Sequence, residues 1–150
     1  MSAMRMSLNL IGLALPLFAG CSPAGGSFPV AATSGRVVCE GQPVPNVTVF
    51  FEPLQTGKSA LAGKQGVAFA EANGTFTVST YGDNDGAVVG RHRVRVGPPR
   101  GGEAPGFKCP CVLNSEVDVM EVEVKKGQKN HFDVVLKKRS SQDRPPLPER

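Results

Sequence analysis

The stretch from Gly66 to Val96, GVAFAEANGTFTVSTYGDNDGAVVGRHRVRV, constrains this chain more than any other. Its last six residues, Arg91-His92-Arg93-Val94-Arg95-Val96, alternate strictly. Period two puts His92, Val94 and Val96 on one face of a strand and three arginines on the other, whereas a helix would scatter both sets around its axis. Upstream, Val67 and Phe69 alternate with Ala68 and Ala70, and Phe76 and Val78 alternate with Thr75, Thr77 and Ser79. Between these runs Asn73-Gly74 tolerates φ > 0 at both central turn positions, so the pair predicts a β-hairpin with one apolar face. Tyr81 to Gly90 reads as a polar, glycine-punctuated loop.

The remainder repeats the pattern. Gly35 to Glu40 predicts a first strand and Val47 to Glu52 a second, separated by a connection whose Pro43 and Pro45 cannot sit in a central strand. In the second strand Val47, Val49 and Phe51 share one face; Phe50 on the other implies that part of that face is covered too. Val117 to Val124 alternates with acids, but its apolar parity slips between Val119 and Val122, which a β-bulge around Met120-Glu121 would repair. His131 to Leu136 is the last strand, with Phe132, Val134 and Leu136 inward. Eighteen glycines and 13 prolines, with no run of apolar residues at i, i+3, i+4 and i+7 between Ser34 and Lys138, exclude a helical fold. About seven strands at regular spacing predict an all-β, Greek-key β-sandwich over residues 34–138.

The flanks read differently. Arg5 followed by the apolar run Leu8 to Ala19 has the form of a targeting segment, too short to span a bilayer, which needs about 20 residues. Leu17-Phe18-Ala19-Gly20-Cys21 resembles the lipobox of bacterial lipoproteins, with Phe18 standing where Leu, Val or Ile is usual. The resemblance implies a signal peptide over residues 1–20 and lipid attachment at Cys21. Residues 21–33, rich in Pro, Gly, Ala and Ser, read as a flexible tether, and residues 139–150 as a disordered polar tail. Cleavage removes Arg5 and leaves 16 basic against 13 acidic residues, a net charge of +3. That is too small and too spread to argue for nucleic acid. Ser22 supplies no acidic retention signal after the cysteine, which leans the address towards an outer membrane of the cell envelope.

The Gly35-Arg36-Val37 start, the Gly41-x-Pro-x-Pro-x-Val-Thr-Val-x-Phe run, the Asn73-Gly74-Thr75-Phe76 turn and the Asp85-Gly86-Ala87 to Val96 stretch resemble the carboxypeptidase regulatory-like, transthyretin-like domain, closest to small secreted lipoproteins of planctomycete type. These motifs are turn glycines and core apolar residues, so they imply a fold and carry no activity with them. The hydroxyisourate hydrolases of transthyretin architecture end in Tyr-Arg-Gly-Ser; this chain ends Pro-Leu-Pro-Glu-Arg.

Among residues that could carry chemistry, cysteines come first. With Cys21 lipidated, Cys39, Cys109 and Cys111 remain, an odd number in an oxidising compartment. One disulfide from Cys39 to either Cys109 or Cys111 is expected, leaving one thiol buried or reactive. The alternative is a soft-metal site of Cys109 and Cys111 with Cys39 or a histidine, although the spacing is not C-x2-C. His92 reads as a hydrogen-bonded core residue, and Asp83, Asn84 and Asp85 as turn residues because they lack the spacing of an EF-hand loop. Arg91, Arg93 and Arg95 form a basic stripe that would discourage edge pairing or meet an anionic surface such as acidic polysaccharide or lipid. No nucleophile elbow, HExxH, Walker loop or dinucleotide fingerprint is present. The expectation is a lipid-anchored, non-catalytic envelope module without a cofactor. It would meet the membrane through its lipid and an envelope protein or polysaccharide through the loops Pro53 to Gln65 and Gly97 to Asn114. The alternative is an envelope metal-binding protein.

Overall fold

The computed structural model describes residues 28–55, 62–100 and 109–140. The signal peptide, Cys21 and the 141–150 part of the tail lie outside them. The described residues form ten strands and no helix: β1 (Val30–Ala31), β2 (Thr33–Cys39), β3 (Gln42–Pro43), β4 (Thr48–Pro53), β5 (Gly66–Phe69), β6 (Thr75–Thr77), β7 (Ala87–Val88), β8 (Gly90–Gly97), β9 (Asn114–Val124) and β10 (Asn130–Leu136). The three that the alternation did not signal, β1, β3 and β7, have two residues each, too few to show a period.

Two four-stranded sheets make the all-β sandwich. In the first, β2 is central: β10 runs parallel to it on one side, while β6 and then β3 share its other side, opposite residues 34–36 and 38–39. The second has the order β5-β4-β8-β9 with every neighbour antiparallel, and β1 pairs with β7 in a separate ribbon. Strand directions give the molecule two distinct ends. One end, here the entry end, gathers residues 28–32, the connection after β4, the segment between β6 and β8, and the β9–β10 turn. The far end gathers the turns after β2 and β5 and the connection from β8 to β9. The register Thr48↔Gly97 and Pro53↔His92 therefore puts the points where the Pro53 to Gln65 and Gly97 to Asn114 loops leave β4 and β8 at opposite ends of the second sheet.

The core explains the alternation. Val47, Val49, Phe51, His92, Val94 and Val96 are fully buried from the second sheet, and Val37 and Val134 from the first. Phe51 sits at the centre, with its ring centroid 6.0 Å from Phe76, 6.1 Å from Phe132 and 6.0 Å from His92. One side chain thus ties both sheets together; truncating such a phenylalanine to alanine costs about 3–5 kcal/mol. Gly35 on β2 is what admits the Phe76 ring and the close approach of the β10 backbone. A Cβ there would overlap the Phe132 carbonyl oxygen and stand 2.6 Å from Phe76 Cζ.

Four expectations need correction. The Val67–Ser79 hairpin is paired at its two ends, by Val67 and Ser79 exchanging backbone hydrogen bonds of 2.9 Å and by Glu71 N donating to Thr75 O. Its middle is split, because β5 joins β4 in one sheet and β6 joins β2 in the other. Of the two turn residues, Gly74 alone has positive φ. The faces also differ: Ala68 and Ala70 are buried, and Phe69 is 44% exposed. Next, β9 carries its irregularities between Met120 and Asp118 and between Asp118 and Asn114, nearer its start than expected. Val119 packs against the core while Val117 stays exposed. Finally, the tether is shorter than residues 21–33, since Val30 and Ala31 pair with Val88 and Ala87, and Thr33 is buried. The fourth correction concerns the arginine stripe and is given with its ion pairs below.

Asn130 holds the turn that carries the chain from the second sheet to the first. Its Oδ1 accepts from Lys125 N at 2.9 Å, and its Nδ2 donates to the carbonyls of Lys125, Gln128 and Ala32 at 3.1, 3.3 and 3.3 Å. It is 4% exposed, so these partners replace water that the turn has excluded.

Candidate functional site

The cysteines converge at the far end. Glu40 and Gly41, both with positive φ, make a two-residue turn that folds β3 back on β2, with Cys39 opposite Gln42. This fixes Cys39 as the last residue of β2, beside Leu136 of β10. The segment from Cys109 to Leu113 is held by the chain leaving β10: Val112 N donates to Lys137 O at 2.9 Å, and Arg139 N donates to Pro110 O at 2.8 Å. Cys111 therefore faces Lys138 across an antiparallel bridge. Its Cα comes to 6.0 Å from that of Cys39, and the two form a disulfide. Of the two pairings the sequence left open, Cys39–Cys111 is the one formed. Cys109 is the free thiol, and it is buried.

Burial alternates along this segment. Cys109 and Cys111 are buried and Pro110 between them is exposed, so both sulfurs lie on the inner side. No group of three or more His, Cys, Asp or Glu side chains among the described residues is arranged to hold a metal ion. A thiolate site of Cys39, Cys109 and Cys111 would first need the disulfide reduced, because a disulfide sulfur offers no thiolate.

The arginine stripe is a paired surface. Arg91 meets Glu121 at 2.6 Å, Arg95 meets Asp118 at 2.6 Å and Glu52 at 2.7 Å, and Arg93 lies 3.7 Å from Asp118. Because β8 lies between β4 and β9, these arginines guard no sheet edge, contrary to the reading from sequence; they cross-link three strands on the outer face. Arg95 is held in its charged form still more firmly than usual, first by the hydrogen bond to Asp118 and then by the nearby acids. Exposed pairs of this kind contribute little to stability, because water and salt screen them. Three carboxylates against three guanidiniums leave the stripe little net charge to offer an anionic surface.

His92 is buried, with Nδ1–H donating to Gly90 O at 3.0 Å and the ring edge-on to Phe51. Nε2 has no partner among the described residues. Desolvation holds its pKa below the usual value against the opposing Gly90 hydrogen bond, so the ring is neutral at pH 7. It fills core space and is closed to substrate. In the entry-end loop, the Asp85 carboxylate accepts from the backbone N–H of Thr80, Tyr81 and Gly82 at 2.7, 2.9 and 2.9 Å. Partial burial pushes its pKa up, but these hydrogen bonds together outweigh it and lower the pKa. Asp85 is thus a turn organiser, as its spacing implied.

One arrangement was invisible in the sequence. The parallel pairing of β2 with β10 sets Ser34 beside His131, with Oγ 3.4 Å from Nδ1, and His131 Nε2 lies 3.7 Å from Asp133 Oδ1. Hydroxyl, imidazole and carboxylate in that order suggest an activated serine. Yet β2 is paired on both sides at Ser34, which leaves no free backbone donor there to hold an oxyanion, and His131 and Asp133 are more than half exposed. The row is a solvated polar ladder across two strands. Set against protein-family models, curated proteins and solved structures, the chain matches none.

Proposed function

We propose that this protein is a lipid-anchored, non-catalytic β-sandwich of the cell envelope, held to an outer membrane through Cys21 and presenting its far end as a structural or interaction surface. The observation that carries this reading is polarity. The chain joins the fold at Phe28 to Ala31 on the entry end, where Phe28 N and Lys64 N both donate to Tyr81 Oη, at 3.2 and 3.4 Å. The disulfide and the β8–β9 connection lie at the opposite end. From Cys21 to Phe28 the chain can reach at most about 25 Å, so a lipid on Cys21 keeps the entry end near the bilayer and the far end away from it. The motifs of a carboxypeptidase regulatory-like domain in a planctomycete-type lipoprotein support the same reading. A partner at the far end would be an envelope protein or a polysaccharide. Stacking on sugar is the weaker option, since the chain has no Trp and a single Tyr, which lies at the entry end.

Intact mass spectrometry of the chain, expressed with its own signal in a lipoprotein-processing host, tests the anchor. The expected product begins at Cys21 and carries a diacylglyceryl adduct; an unlipidated product refutes the proposal. In vesicles containing nitroxide lipids, a fluorophore at Asp83 should then be quenched more strongly than one at Asn73, and equal quenching would sink the orientation.

A further inference from the structure

We propose that Cys109 is the built-in exchange partner of the Cys39–Cys111 disulfide, so that the far end holds two interconvertible staples, Cys39–Cys111 and Cys39–Cys109. The alternation of buried Cys109, exposed Pro110 and buried Cys111 puts both sulfurs on the side of the segment that faces the core. Residues two apart in extended chain point the same way, about 7 Å apart at most. Sliding the segment by two residues against the chain after β10 therefore brings Cys109 to the place of Cys111 with its side chain still inward. All three cysteines are buried in the hydrophobic core, Cys39 and Cys111 bonded to each other and Cys109 free two residues before Cys111.

The exchange balances without any outside reagent. Cys109 loses its proton, its thiolate attacks Cys39 Sγ, the Cys39–Cys111 bond breaks as the Cys39–Cys109 bond forms, and Cys111 leaves as a thiolate that takes up a proton. The number of disulfides is unchanged. Pro110 makes the two states unequal. In the observed register Val112 N donates to Lys137 O; after a slide of two residues Pro110 would occupy that position, and it has no N–H to give. Cys39–Cys111 is thus the resting staple. The other state counts two residues fewer between β8 and the staple and two more between the staple and the start of β9.

The test uses the full oxidised chain at about pH 8.5, where an ordinary thiol is roughly half ionised, without reductant. Samples are acid-quenched over time, alkylated and mapped by peptide mass spectrometry without reduction, which separates Cys21 from the other three. Label should begin on Cys109 and spread to Cys111 until a plateau, with Cys39 unlabelled, at a rate independent of protein concentration. Pro110→Ala should raise the plateau share on Cys111. Cys111→Ser should give a folded protein with a Cys39–Cys109 disulfide. Label confined to Cys109 in both the wild type and Pro110→Ala overturns the proposal, as does label on Cys39, a concentration-dependent rate, or two free thiols in folded Cys111→Ser.

Discussion

Removing the staple should reveal how much of this fold rests on it. Cys39 and Cys111 are 72 residues apart, so the disulfide closes most of the sandwich into one loop of the unfolded chain. In the chain-entropy account a loop of that length lowers the entropy of the unfolded state by about 15 cal/mol/K, worth about 4 kcal/mol at 25 °C. For a domain of this size that corresponds to a fall in Tm of roughly 15–20 °C. The perturbation is Cys39→Ala with Cys111→Ala, compared with oxidised wild type and with wild type held reduced. Reduction opens the loop without deleting a side chain, so agreement between the two separates loop entropy from lost packing. Urea unfolding followed by circular dichroism gives the midpoint and the slope; the slope should rise, because the unlinked chain exposes more surface. A loss below about 1 kcal/mol in both comparisons would refute the reasoning.

Two further outcomes follow from buried polar groups. Burial holds His92 below its unfolded pKa of about 6.5, so the unfolded chain binds the proton more readily; its contribution is fully present above about pH 6.5 and is lost as pH falls towards the folded pKa. Urea midpoints measured from pH 7.5 downwards should fall below about pH 6.5, and His92→Leu should flatten that first decline; an unchanged profile in the variant excludes His92 as its source. Asn130→Ala strands the Lys125 N–H and removes the amide shared by three carbonyls, so chemical denaturation should show a loss of about 2–4 kcal/mol. A loss under about 0.5 kcal/mol would mean that water replaces the amide without cost.

Much of the fold was legible because alternation is a local signal. His92, Val94 and Val96 inward with Arg91, Arg93 and Arg95 outward is what β8 shows, and Phe76, Val78, Val134 and Leu136 are buried as their parity implied. Parity misled at Val67 and Phe69. There the larger residues face out and Gly66 and Ala68 face in; at Gly66 bulk does not fit, since a Cβ there would stand 2.7 Å from Val78 Cγ1 and 2.9 Å from Thr80 Oγ1. Asn130 gave no signal, since one asparagine in a turn resembles any other until its four partners are known. The Ser34–His131 pair was equally hidden, for it depends on a parallel pairing between residues 97 apart.

By itself, then, the sequence determined the class, the strands of three or more residues, the inner face of most of them and the set of cysteines from which a staple could be drawn. These follow from which residues can share one side of a pleated chain, a question settled over a few neighbours. Tertiary structure alone decided that β2 takes β10 as a parallel partner, that the hairpin opens between two sheets, that acids on β4 and β9 pair with the β8 arginines, and that Cys111 reaches Cys39 while Cys109 stays a free, buried thiol. Each of those depends on the meeting of segments distant in the chain, where packing around Phe51 and the hydrogen bonds available to each backbone select one arrangement that no local pattern records.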